Sequence, residues 1–135
     1  MSVFVDTSAL LAVLNAADVA HRRADEMWAQ LLAGDRPLRT HSYVVVETSA
    51  LVQRRHGMDA LRSLHDEILP VLSVRCPDIE LHRRATTALV AAGRRDISLV
   101  DWTSFEVMRE EGLVDAFAFD EDFDEHGFRT LPRPS

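Results

Sequence analysis

Residues 2–15 read SVFVDTSALLAVLN and pass from a strand pattern into a helix pattern. Three apolar residues, Val3–Val5, predict a strand that is buried on both faces of a sheet. Asp6, Thr7 and Ser8 follow at the point where the strand ends and a helix begins. A helix cap is the simplest reason for a carboxylate there. Whether it is the right reason depends on whether other carboxylates occupy equally apolar surroundings along the chain.

Strand and helix patterns alternate along the rest of the chain. Further strands are predicted near residues 38–40, 71–74, 115–119 and 128–131, and helices over residues 8–15, 18–32, 42–57, 58–68, 78–92 and 98–111. Ser42 is predicted to cap the third of these helices and Gly57 to end it. The strands lie too far apart for hairpins, so the pattern predicts an α/β fold with a mostly parallel central sheet of four to five strands flanked by helices. Sites in such sheets form at the carboxyl ends of the strands.

Length and composition favour one domain in a reducing compartment. The 135 residues are long enough for a single hydrophobic core, and only residues 132–135 read as a loose tail. The single cysteine, Cys76, excludes an internal disulfide, and no Cys/His spacing indicates a zinc site. No signal peptide or apolar run of about 20 residues is present, so we expect a cytoplasmic protein with no membrane partner.

The charge of the chain gives a mixed indication about nucleic acid. A formal net charge of −7 argues against a phosphate-rich partner if the charge is evenly spread. All 15 basic residues are arginine, and eight of them lie in the pairs Arg22–Arg23, Arg54–Arg55, Arg83–Arg84 and Arg94–Arg95. Arginine suits phosphate recognition, but base composition of the genome and solvated helix ends explain such pairs at least as well.

Four carboxylates occupy apolar surroundings. Asp6 follows the first strand, and Asp120 follows the apolar run 116–119, with Asp122 and Asp124 close behind. Glu47 shares a predicted helix face with apolar neighbours, as does Asp101. Each has a structural explanation: a helix cap for Asp6, a capping box with Ser98 for Asp101, an arginine partner for Glu47, and a solvated loop for residues 120–127.

Taken together, the four positions predict a metal site. All are placed to converge at the carboxyl edge of the sheet, where packed like charges are tolerable only if they are protonated or bridged by cations. An all-oxygen set favours Mg²⁺ or Mn²⁺ over zinc. An EF-hand is excluded, because Glu125 replaces the required glycine and Leu131 the bidentate glutamate. No H-E-x-x-H pair, phosphate loop or G-x-S-x-G elbow occurs.

The segments VFVDTSALLAVLN, the mid-chain helix that carries Glu47, ISLVDWTSFEVM and AFAFDEDFDEHGF together resemble the PIN-domain family, specifically the VapC-type toxins of bacterial type II toxin-antitoxin systems. They follow the family's order over almost the whole chain. The resemblance implies a single PIN domain over residues 1–131 with a PIN-like α/β/α fold. It also implies a set of functional residues: the acidic positions Asp6, Glu47, Asp101 and Asp120, the hydroxyls Thr7 and Ser8 beside the first as substrate-positioning groups, and Asp122 or Asp124 as alternatives at the fourth.

The resemblance further implies a Mg²⁺-dependent endoribonuclease in which Mn²⁺ can substitute. Asp6 and Asp101 are assigned as the main metal ligands, with Glu47 and Asp120 completing the site directly or through water. A metal-activated water then cleaves RNA and leaves a 5'-phosphate and a 3'-hydroxyl. A cognate antitoxin and a homodimer are implied by the family alone. Two alternatives stay open: another metal-dependent nuclease or phosphoesterase that acts on DNA, and a non-catalytic binding module.

Overall fold

The computed structural model describes residues 1–134, and over these residues five parallel strands form one sheet. The strand order is β3-β2-β1-β4-β5, and every neighbouring pair is parallel. The strands are β1 (Val3–Val5), β2 (Leu38–His41), β3 (Ser73–Arg75), β4 (Asp115–Phe117) and β5 (Arg129–Leu131). The predicted α/β class and the parallel sheet are therefore confirmed.

Seven α-helices in the described chain connect and flank these strands. They are α1 (Thr7–Leu14), α2 (His21–Ala33), α3 (Ser42–His56), α4 (Met58–Ser63), α5 (Ile79–Ala92), α6 (Leu99–Glu111) and α7 (Asp122–Glu125). A π-helical turn over Leu64–Ile68 and a 3-10 turn over Leu69–Val71 follow α4. No helix in residues 1–134 is long and apolar enough to cross a membrane.

The central strand β1 forms the middle of the core. Val3, Phe4 and Val5 are completely buried, as is every residue of β4 beside it. Side chains from α1, α2 and α6 cover this pair of strands, among them Leu10, Trp28 and Phe105. Burial of the strand on both faces, predicted from three consecutive apolar residues, is confirmed.

Carboxylates lie at both ends of the parallel strands, and the two ends differ in whether arginines pair with them. At the amino edge, Asp115 begins β4 and is held by two arginines: Arg36 Nη2 donates to its carboxylate over 2.6 Å and Arg129 Nε over 2.6 Å. These partners hold the pKa of Asp115 below its usual value. At the carboxyl edge, the chain leaves β1 through Asp6, whose N–H donates to the carbonyl of Phe117 over 3.0 Å. Carboxylates without such arginine partners gather at this second edge.

Three predictions about where helices begin or continue are wrong, each because of a local contact or turn. Ser42 is not the cap of α3: His41 precedes the helix, and its Nδ1 accepts from the N–H of Val44 over 3.4 Å. Helix α2 begins at His21, because Asp18 forms a turn in which its Oδ1 accepts from the N–H of Ala20 over 2.8 Å. The helix predicted over residues 58–68 changes to a π-helical turn at residue 64.

The carboxyl-terminal segment runs beside α2. Arg23 Nη2 donates to the carbonyl of Arg133 over 3.2 Å, so residue 133 contacts the domain. The predicted tail 132–135 extends to Ser135, which lies outside the described residues. The division into a domain over residues 1–131 and a tail stays a prediction.

Candidate active site

Asp6 is both the cap of α1 and an incompletely bonded buried carboxylate. Its Oδ2 accepts from the N–H of Ser8 over 3.1 Å and from the Ser8 hydroxyl over 2.6 Å. The helix-cap explanation is therefore correct as far as it goes. Its Oδ1, however, is buried and has no hydrogen-bond partner among residues 1–134. An unpaired carboxylate oxygen is costly to bury, so the cap alone does not account for this residue.

The hydroxyls beside Asp6 connect three elements. Ser8 Oγ accepts from the N–H of Phe119 over 3.0 Å, which ties the start of α1 to the segment after β4. Thr7 Oγ1 accepts from the hydroxyl of the fully buried Thr48 over 3.1 Å, which ties α1 to α3 next to Glu47. Both predicted hydroxyls thus fix the frame of the site. Their contact with a substrate stays a prediction.

Asp101 satisfies the capping box of α6 with one carboxylate oxygen. Its Oδ2 accepts from the N–H of Ser98 over 3.2 Å and from the Ser98 hydroxyl over 3.1 Å, and its own N–H donates to Ser98 Oγ over 3.2 Å. The capping box predicted as a structural explanation is confirmed. It holds the side chain in place and leaves Oδ1 outside the box.

Glu47 lacks the arginine partner that would make it purely structural. It is half-buried on α3, and no arginine nitrogen in residues 1–134 lies within 4.0 Å of its carboxylate. Its charge is one of the causes that raise the pKa of Asp101. Glu47 also lines a cavity of about 360 Å³ together with Tyr43 and Val100.

The segment after β4 contributes two carboxylates to a compact cluster. Asp120 Oδ1 accepts from the N–H of Asp122 over 2.9 Å, a turn that brings both side chains to the same place. One carboxylate oxygen from each of Asp101, Asp120 and Asp122 lies within 4.8 Å of the others. Asp124 lies outside this group: it is exposed, and the Thr130 hydroxyl donates to its Oδ2 over 3.1 Å.

Three carboxyl groups at this edge have raised pKa values. Burial raises the pKa of Asp6 from 3.8 to about 7, against the hydrogen bonds from Ser8 that lower it, and the charges of Asp101 and Asp120 raise it further. The pKa of Asp101 is raised to about 6, chiefly by burial and then by the charge of Asp120. Burial and the charge of Asp120 also raise the pKa of Asp122. Each group is therefore hard to ionise while its neighbours are charged.

The donor set fits a hard divalent cation. It consists of carboxylate oxygens, which are the ligands that Mg²⁺ and Mn²⁺ prefer. Asp6 Oδ1 is buried without a hydrogen-bond partner in the described chain, and the pKa of Asp6 is raised. Both features are expected of a carboxylate whose positive partner is a bound metal ion and not a residue of the protein. The carboxylate oxygens of Asp101, Asp120 and Asp122 are close enough together to hold one cation.

The structure brings together some of the predicted site residues more closely than others. Asp101 and Asp120 belong to the compact cluster, Asp6 and Glu47 interact with it through their charges, and Asp124 is turned away. Asp122 enters the cluster more directly than its place among the alternatives suggests. Thr48 was missed. Its position directly after Glu47 is the signal that could have found it.

Comparisons with known proteins identify the family of this chain. Residues 3–129 match the PIN domain family. The chain is 37% identical over 129 residues to the 23S rRNA-specific endonuclease VapC20 of Mycobacterium tuberculosis. The aligned residues cover 93% of this chain and 95% of that protein. The crystal structure of VapC20, described as a Sarcin-Ricin loop cleaving toxin, matches with a TM-score of 0.84 at 38% identity over 94% of this chain and 96% of that one.

More distant solved structures share the fold alone. VapBC2 from Rickettsia felis, bound to a DNA fragment from its promoter, has a TM-score of 0.70 at 16% identity and covers 96% of this chain and 97% of that one. FitAcB from Neisseria gonorrhoeae has a TM-score of 0.67 at 14% identity, with 95% of each chain covered.

Proposed function

The chain belongs to the PIN-domain family, and from this we propose that it is a Mg²⁺-dependent endoribonuclease, the toxin of a VapBC-type toxin-antitoxin system. One observation carries the proposal. Asp101, Asp120 and Asp122 present carboxylate oxygens within 4.8 Å of one another, and the charges of Asp101 and Asp120 act on Asp6, whose buried Oδ1 has no partner in the described chain. A divalent cation would offset the mutual repulsion of these carboxylates, and such a cation can activate water for phosphodiester hydrolysis.

The named activity of the relative supports RNA as the substrate. VapC20 is a 23S rRNA-specific endonuclease, and the identity of 37% extends over 93% of this chain. We therefore take 23S ribosomal RNA as the first substrate to test. The two chains are similar over nearly their full length, so we expect a site at the carboxyl edge of the sheet in both.

The proposed ligands are Asp101, Asp120 and Asp122, with Asp6 and Glu47 completing the site directly or through water. When bound, the ion lowers the pKa of a water molecule and offsets charge on the scissile phosphate. Ser8 holds the Asp6 carboxylate by two hydrogen bonds, and the capping box of α6 holds Asp101. These contacts fix the carboxylates before substrate arrives, so little reorganisation is needed during the reaction. No side chain has to act as a covalent nucleophile.

A cognate antitoxin is the proposed regulatory partner. An active ribonuclease of this kind stops growth unless a second protein blocks its site, and the family resemblance implies such a protein. A homodimer rests on the family resemblance alone, and a cytoplasmic location rests on the single cysteine, Cys76; both stay predictions.

Cleavage of RNA and DNA side by side tests the proposal. Purified protein with Mg²⁺ should cut a 23S rRNA fragment and leave a DNA oligonucleotide of the same sequence intact, and Asp101→Asn should cut neither. Preferential cleavage of the DNA would instead support the alternative nuclease. RNA binding without cleavage by the wild type would support the non-catalytic binding module.

A further inference from the structure

Most arginines of the chain are already engaged by carboxylates. Ten of the fifteen have a carboxylate oxygen within 4.0 Å. Considering residues 1–134 only, the arginines without such a partner are Arg23, Arg54, Arg55, Arg95 and Arg133. An arginine whose charge is not offset by a nearby acid is the kind that can attract a phosphate.

Arg23 is the member of this set that lines a cavity with a site carboxylate. The cavity has a volume of about 120 Å³ and is bordered by Arg23, by Phe119 and by three carboxylates, those of Asp120, Glu121 and Asp124. The Arg23 guanidinium lies over the Phe119 ring, 5.7 Å from its centroid. Phe119 directly precedes Asp120 in the chain, so this contact holds the Arg23 charge beside the acidic edge of the sheet.

The same arginine also borders a second cavity that leads away from the site. This cavity has a volume of about 320 Å³, and Arg133 forms part of its wall. Arg23 Nη2 donates to the Arg133 carbonyl over 3.2 Å, which keeps the two residues together. The one acid in the wall, Glu26, is paired with Arg22 at 3.2 Å, so its charge is already offset. We call the two cavities, joined at Arg23, the arginine groove.

We propose that the arginine groove binds the phosphodiester backbone of the RNA next to the scissile phosphate, with Arg23 as the inner contact and Arg133 as the outer one. This inference rests on the proposed function and names the residues that hold the substrate of that site. RNA is favoured over other anionic ligands because the groove is continuous with the carboxylate edge. A chain of regularly spaced phosphates can occupy both cavities at once.

The charge distribution explains why such a contact is needed. The carboxylates repel every phosphate that is not neutralised by a cation, and the net charge of the chain is −7. A guanidinium has five N–H donors, and the Arg133 carbonyl takes one from Arg23, so donors remain for a phosphate. Arg23 can therefore hold the backbone at a fixed distance from the metal ligands.

The salt dependence of RNA binding tests the proposal. We would measure the affinity of a fluorescein-labelled single-stranded RNA at a constant Mg²⁺ concentration, in an Asp101→Asn background that prevents cleavage. Arg23→Gln should weaken binding roughly tenfold and reduce the slope of log K against log salt by about 0.7, the value for one lost phosphate contact on a single strand. Arg133→Gln should act in the same direction, and the double variant should lose about twice the slope.

Two further variants separate charge from structure. Arg83→Gln is the matched control, because it removes an exposed guanidinium that pairs with Glu80 on α5, and it should leave the slope unchanged. Arg23→Lys loses the hydrogen-bond geometry but keeps the charge, so its slope should stay near that of the parent. Equal loss in Arg23→Gln and Arg23→Lys would indicate a purely structural role and overturn the proposal.

The outcomes for the groove and for the enzyme are distinguishable. If wild-type protein cleaves RNA and Arg23→Gln retains the parental slope, the groove is wrong and the proposed function stands. If the wild type neither binds nor cleaves RNA under any metal condition, the proposed function fails and the groove fails with it.

Discussion

Replacing Asp6 by asparagine should change how the stability of the metal-free protein depends on pH. The carboxyl ionises at pH 3.8 in the unfolded chain and at about 7 in the folded one. Between these values the unfolded chain releases the proton first, so the free energy of unfolding falls as the pH rises. This single group is expected to lower that free energy by about 2 kcal/mol at pH 5 and by about 4 kcal/mol at pH 8.

Asparagine removes this pH-dependent cost and adds a constant one. Its side-chain oxygen can still accept from the N–H and hydroxyl of Ser8, as Asp6 Oδ2 does. Its amide nitrogen then takes the place of Oδ1, which has no partner in the described chain, and an unsatisfied buried donor costs about 1–3 kcal/mol. The variant should therefore be about 1–3 kcal/mol more stable than the wild type at pH 8 and about equal to it at pH 5.

Urea unfolding of both proteins in EDTA, at half-unit intervals from pH 5 to pH 8, measures this difference directly. The control is Asp124→Asn, which neutralises an exposed carboxylate in the same region and should follow the wild-type profile. Parallel profiles for wild type and Asp6→Asn would mean that the Asp6 carboxyl ionises normally, and the account of a strained carboxylate edge would be wrong.

Three other predictions concern the remaining carboxylates. Expressed alone, the protein should arrest growth of a bacterial host, and Asp6→Asn or Asp101→Asn should abolish the arrest by deleting a ligand charge; undiminished toxicity of both variants would reject the site. Glu47→Gln should reduce activity by orders of magnitude. In chelator it should change the free energy of unfolding by no more than about 1 kcal/mol, because Glu47 has no arginine partner in the described chain that would lose its counter-charge. Loss of one member of a buried ion pair would instead cost about 3–5 kcal/mol, and a change of that size would count against the assignment. Asp122→Asn should weaken Mn²⁺ binding in calorimetric titration by at least about tenfold and Asp124→Asn should not, and the opposite ranking would remove Asp122 from the site.

Local signals in the sequence predicted much of the fold. Asp78 and Ser98 lie where the helices over residues 78–92 and 98–111 were predicted to begin. Both residues cap their helices, α5 and α6, because a side-chain oxygen three residues before a free N–H is sufficient for a cap. The buried strand β1 was predicted from three apolar residues, and the parallel sheet from the alternation of strands and helices. These features depend on neighbours in the sequence, so the sequence is enough to find them.

The features that were missed depend on contacts between distant residues. His41 replaces Ser42 as the cap of α3 because its ring is buried, with Nε2 2.8 Å from the Ser104 hydroxyl on α6. The turn over residues 64–68 widens where Leu64 and Ile68 both pack into the core. Neither the contact between His41 and Ser104 nor the core packing of Leu64 and Ile68 could be predicted from local sequence spacing.

The candidate site shows the same division. Asp6, Glu47, Asp101 and Asp120 were chosen because each carboxylate sits in apolar surroundings. The charges of Asp101 and Asp120 raise the pKa of Asp6, and those of Asp120 and Glu47 raise the pKa of Asp101, which is the effect expected of neighbouring carboxylates. The choice among three alternating aspartates could not be made from the sequence. It depends on the turn between Asp120 and Asp122 and on the hydroxyl of Thr130 that holds Asp124.

Cleavage of RNA by metal-stripped protein, before and after Mg²⁺ is added back, measures whether the carboxylate edge needs a divalent cation for activity. The carboxylate edge is proposed to work only with a divalent cation, so protein treated with chelator should leave a 23S rRNA fragment intact. Addition of Mg²⁺ or Mn²⁺ should restore cleavage in a saturable manner and yield products with a 5'-phosphate. Undiminished cleavage by the stripped protein would contradict the account.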